Sequence, residues 1–132
     1  MDESFGKKEK LKSKVMIDRL FTEGNSVKKY PLRLVYLPVD DPSEKQIKVA
    51  VSVPKRNFKR AVDRIKIKRL MREAFRKNKY LVTNNLARNY ALMLIYTGRD
   101  IWNYSELFRS SEELLKRFVE QEKMKEHEKD TL

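Results

Sequence analysis

The chain contains no cysteine. Disulfides, thiolate metal sites and thiol nucleophiles are therefore excluded, and a reducing, cytoplasmic setting is expected. Glycine occurs only at positions 6, 24 and 98, too scattered to build a phosphate-cradling loop. The single histidine, His127, lies in a charged tail and is expected to be solvated. No His, Asp and Glu residues fall at metal-ligand spacing. Asp40-Asp41 precede Pro42 and form a turn signal, and Asp63 sits at a helix start as a dipole partner. No apolar run could cross a bilayer, because the longest, Tyr90 to Tyr96, spans only two turns of helix. Asp2 and Glu3 open the chain without an apolar stretch, which argues against a signal peptide.

Charge is abundant instead. Charged residues make up 38% of the 132 positions and apolar residues 40%, a globular composition with a polar surface. The formal net charge is +12. Of this, +10 resides between Lys55 and Lys79, where twelve Lys or Arg face two acids, Asp63 and Glu73. Charge so concentrated attracts polyanions and releases their counterions together.

Periodicity predicts the elements. A helix capped by Ser13 is expected to run to about Glu23 and to end at Gly24-Asn25. Strands are expected over 32–37 and 47–53, forming an antiparallel hairpin across a turn at 38–45. In the first strand Leu32, Leu34 and Tyr36 face one side and Arg33, Val35 and Leu37 the other. A helix is predicted from about Ala61 to Asn78, then a central strand over 90–97 covered on both faces. Asn103 caps a last helix, with Glu106 in the capping-box position, and the tail is expected to fray from about Glu120. The order α-β-β-α-β-α implies a single α+β domain spanning residues 1–132, an α-β sandwich whose ordered core covers about 7–120.

The helix from Ala61 divides on a wheel. Ile67, Leu70, Met71, Ala74 and Phe75 form an apolar stripe, and Lys68, Arg69, Arg72 and Arg76 lie opposite. Arg64 borders the stripe and is placed to snorkel. Solvated faces normally interleave acids at i,i+4, yet Lys68, Arg72 and Arg76 repeat like charges at that spacing. A face that tolerates such repulsion points to an anionic partner, with nucleic acid favoured. No helix-turn-helix, zinc-finger or zipper pattern is present, and the strands lack the paired aromatics of common RNA-recognition sheets.

The run Ser52-Val53-Pro54-Lys55-Arg56, followed by Ala61-Val62-Asp63-Arg64-Ile65-Lys66-Ile67-Lys68-Arg69 and Arg72-Glu73-Ala74-Phe75-Arg76, resembles the protein component of bacterial ribonuclease P. The resemblance covers roughly residues 7 to 118 and includes Leu11, Phe21 and Gly24. Ile65 stands where the family usually has Asn, and the loop Asn57-Phe58-Lys59-Arg60 lacks the family's Gly. The resemblance implies a left-handed β-α-β crossover. It also implies a division of labour, in which a catalytic RNA removes the 5′ leader of precursor tRNA with Mg2+ held mainly by RNA and substrate. The protein side would contribute RNA contacts from Lys55, Arg56, Arg64, Lys66, Lys68, Arg69, Arg72 and Arg76. It would contribute a leader cleft from Ile17, Phe21, Val35 and Tyr36, and no catalytic side chain. Two other readings remain open on residues alone: a non-catalytic ribosomal or ribosome-assembly protein, and a membrane-surface or calmodulin-type basic helix.

Overall fold

The structure is a computed structural model that describes residues 14–39 and 47–130, with the backbone alone from 126 onward. Its elements are α1 (Lys14–Glu23), β1 (Asn25–Lys29), β2 (Leu32–Val39), β3 (Ile47–Ser52), α2 (Ala61–Asn78), the short α3 (Tyr80–Thr83), β4 (Asn89–Tyr96) and α4 (Tyr104–Asp130). Ser13, Leu11 and the turn around Asp40-Asp41-Pro42 lie outside the described residues.

The four strands form one sheet in the order β1-β2-β4-β3. The expected hairpin between β2 and β3 does not form. β4 pairs antiparallel with β2 (Leu34 opposite Leu94) and parallel with β3 (Val49 opposite Leu92). The reason lies in composition. β4 is buried at six of eight positions, so it needs a neighbour on each edge and a cover on each face. The strands on either side of it are more exposed and flank it. β3 reaches β4 through α2, the kind of long crossover that a parallel pair requires. The true hairpin joins β1 to β2 through Tyr30-Pro31. β1 escaped the sequence reading because Val27 is its only buried residue.

Alternation along β2 and β4 splits the apolar residues between two faces. One face carries Leu32, Leu34, Tyr36, Tyr90, Leu92, Leu94 and Tyr96 and packs under α2 and α4. The α2 stripe Ile67, Met71 and Phe75 and the α4 residues Leu107, Leu114, Leu115 and Phe118 complete this core. Buried Asn78 ties the two helices together, its Nδ2 donating to the carbonyls of Ala74 (3.0 Å) and Phe108 (3.3 Å). The other face carries Val35, Ala91 and Met93 beneath Leu20 of α1.

The capping box forms as expected: the Glu106 amide donates to Asn103 Oδ1 at 2.9 Å, and Asn103 Nδ2 donates to Glu106 Oε1 at 3.0 Å. The tail does not fray at Glu120. α4 continues to Asp130, because Val119 and Glu122 still face the protein and Gln121 and Lys125 reach the Tyr36 hydroxyl.

Candidate RNA interface

The basic loop and α2 form one exposed surface. Lys55, Arg56, Lys66, Arg69 and Arg72 are solvent-exposed, and Lys68 is half-buried at the margin of the ridge. Because Ile67, Leu70, Met71, Ala74 and Phe75 dock α2 on the sheet and α4, the cations face outward. Two arginines are less available than the sequence implies. The Arg64 guanidinium donates to the carbonyls of Phe58 (2.8 Å) and Lys59 (2.9 Å), clamping the loop against the start of α2. Arg76 pairs with Glu73, its Nε 3.3 Å from Oε2. Buried Phe58 anchors the same loop against Tyr96, with ring centroids 5.8 Å apart.

Val62 and Ile65, 67% and 58% exposed, stand among these cations. Sequence reasoning singled out Ile65 as standing in place of the family's Asn, and the structure exposes it beside the cations of α2. It missed Arg99, which follows β4 and lines a cavity of about 660 Å³ with Arg56, Asn57 and Thr97. No local pattern marks Arg99, because the sheet order alone brings the two loops together.

On the opposite face of the sheet, α1 leaves a shallow apolar groove. Met16 and Ile17 are half-buried against Val35, Ala91 and Met93, and Leu37, Val39, Ala50 and Ile95 extend the floor. Phe21 lies next to Ile17 around the helix and is 58% exposed. Ile17, Phe21 and Val35 therefore share one side of the molecule. Tyr36 does not belong with them. Successive residues of a strand point to opposite faces, and Tyr36 is fully buried beneath α4. Its ring packs on Phe118 and Tyr90 at centroid distances of 4.5 and 6.3 Å. Gln121 and Lys125 donate to its hydroxyl.

Burial pushes the Tyr36 phenol up to about 12, with the Gln121 hydrogen bond opposing and the Glu122 charge reinforcing the shift. Burial raises Tyr96 as well. Both phenols are neutral in the fold, so their contribution to stability is complete below the ordinary phenol value near 10. It is then lost as pH climbs through the raised values. Alkaline titration followed by phenolate absorbance is expected to show part of the tyrosine signal appearing late, together with loss of near-ultraviolet circular dichroism. Simple, complete ionisation near pH 10 in a folded protein would contradict this packing.

Among the described residues, no three His, Asp or Glu side chains come together to hold a metal. No described helix is long and apolar enough to cross a membrane.

The family model described as Ribonuclease P matches residues 5–119. The chain belongs to the ribonuclease P protein family. It is similar to the ribonuclease P protein component of Porphyromonas gingivalis, 41% identical over 80 residues, covering 61% of this chain and 58% of that protein. The corresponding component of Chlorobaculum tepidum is 40% identical over 79 residues, covering 58% of this chain and 51% of that one. The matched segments thus span little more than half the length of these relatives. The fold is that of the RNase P protein from Thermotoga maritima, with a TM-score of 0.67, 20% identity, and 83% of this chain and 96% of that one covered. The matched span includes basic α2 and the strands β3 and β4 that it connects.

Proposed function

We propose that this chain is the protein subunit of bacterial ribonuclease P. It binds the catalytic RNA through the loop at 55–60 and the outer face of α2, and it holds the 5′ leader of precursor tRNA along the α1 side of the sheet. The RNA carries the chemistry of leader removal in the cytoplasm. Magnesium is held by RNA and substrate, and no step is assigned to an ion on this chain.

One observation carries the reading: two RNA-compatible surfaces lie on opposite faces of the sheet. The α2 ridge offers cations to a phosphate backbone, which positions RNA without reading sequence. The α1 groove offers an apolar floor and an exposed aromatic ring. Unpaired bases stack on such rings without sequence preference. A protein that bridges two RNA surfaces raises the affinity of one RNA for the other without supplying an acid or base. Substituting Asp63 or Glu73 is accordingly expected to leave the single-turnover cleavage rate of the holoenzyme within a few-fold of wild type. A missing general acid or base would cost on the order of 10²–10⁴.

The test is cleavage of precursor tRNA by the cognate catalytic RNA at low magnesium, with and without the protein. Stimulation and a preference for precursor over mature tRNA are expected. Phe21→Ala should weaken binding of the precursor by ~1–3 kcal/mol, the worth of one stacked base, and leave mature tRNA unchanged. Equal losses for both tRNA forms would leave only general RNA binding.

A further inference from the structure

The α1 face of the sheet is apolar at its buried positions, but it also carries exposed Lys48 of β3, paired with Ala91, and a facing pair of cations on β1 and β2. Arg33 lies on the same face of β2 as Val35, opposite Lys28 of β1 and Ile95 of β4. Val27 belongs to the core under α4, so its neighbour Lys28 projects to the groove side with Arg33. Two cations therefore stand directly across an antiparallel ladder, with Cβ atoms about 4.5–5.5 Å apart, an arrangement that destabilises a sheet. Neither side chain has an ion pair among the described residues. The residues beside them on this face, Val35, Met93 and Ile95, carry no charge. The Arg33 Nε is buried without a hydrogen-bond partner, while the residue as a whole keeps partial access to solvent. An unmade hydrogen bond at a buried charged group is costly. A like-charge pair and an orphaned guanidinium nitrogen at one place both call for an anion.

We propose that Lys28 and Arg33 bind a backbone phosphate of the precursor-tRNA leader and so fix its path along the groove. This rests on the leader reading above. The guanidinium presents a planar fork that matches a phosphate in bidentate fashion, and the lysine adds a mobile point charge. The apolar floor around them takes the bases and excludes water. It thereby strengthens the charge-assisted contact at their centre. The pair thus sets where along the leader the strand is gripped.

The experiment uses holoenzyme assembled with the catalytic RNA. Precursor tRNAs carry one neutral methylphosphonate linkage at a time through the leader, each against its phosphodiester control. With wild-type protein, one or two adjacent neutral linkages are expected to weaken binding about tenfold, the scale of one charge-assisted hydrogen bond. Arg33→Met keeps the stem and removes the charge. It should weaken binding of the unmodified precursor by about the same factor, lose its sensitivity at those linkages alone, and leave mature tRNA binding unchanged. Lys28→Gln should act in the same direction more weakly, and Arg33→Lys should retain part of the sensitivity. Thermal melting of the variants should show no loss of stability, because each charge removed relieves repulsion. Three results overturn the proposal. If Arg33→Met responds to every linkage as wild type does, the pair does not touch the leader. If it weakens mature and precursor tRNA equally, the phosphate belongs to other RNA. If wild-type holoenzyme shows no preference for precursor at all, the leader reading fails and takes this inference with it.

Discussion

Replacing both Arg69 and Arg72 with alanine is expected to weaken binding to the catalytic RNA about a hundredfold. Each of these arginines is exposed, and neither has an ion pair among the described residues. A charge-assisted hydrogen bond to phosphate is worth about 1.5–3 kcal/mol, which is a factor of ten or more per residue. The plot of log affinity against log salt should also flatten by roughly 0.7–0.9 for each contact removed. Arg76→Ala should cost less, because Arg76 is already engaged with Glu73. Arg64→Ala should act differently from both. It releases the Phe58 and Lys59 carbonyls, so its effect should appear partly as reduced thermal stability. Filter binding across a salt series and a melting curve separate these behaviours. If the Arg69/Arg72 double variant kept wild-type affinity and slope, the α2 ridge would not be the RNA surface.

The second large effect concerns Tyr36. Tyr36→Ala is expected to cost about 3–5 kcal/mol of stability, the range for emptying a buried aromatic site. The ring is fully buried and packs against both Tyr90 of β4 and Phe118 of α4. Tyr36→Phe is the discriminating variant. It keeps the packing and removes only the oxygen that accepts from Gln121 and Lys125, for about 1 kcal/mol. Its affinity for precursor tRNA should equal that of wild type. A folded Tyr36→Phe protein with a selective loss of precursor binding would return Tyr36 to the cleft.

That correction was within reach of the sequence. Alternation along residues 32–37 already separates Arg33 and Val35 from Tyr36, so grouping Val35 with Tyr36 contradicted the strand's own period. Other features were legible because their causes are local. The apolar stripe of α2, the cation ridge, the Asn103–Glu106 box and the unbroken apolar character of β4 all depend on residues within a few positions of each other. The separation of β2 from β3 by β4 was not legible. Adjacency in sequence favours a hairpin, and only the demand of β4 for two partners overrides it. The length of α4 was hidden for a similar reason. Residues 120–130 read as a solvated charged tail, and what holds the helix is distant: Tyr36 receives Gln121 and Lys125 across 85 and 89 positions. The pairing of Lys28 with Arg33 was invisible because β1 carries too little apolar signal to be recognised as a strand.

The sheet order also governs how the molecule comes into being. β2 and β3 meet only through β4, so neither inner edge is satisfied until residue 96 is available. During synthesis the first two-thirds of the chain can form α1, the β1-β2 hairpin and α2, while β2 and β3 present open backbone to any passing strand. Closure depends on contacts far apart in the chain, which slows folding. The interval leaves a half-built sheet beside a helix whose own charges repel.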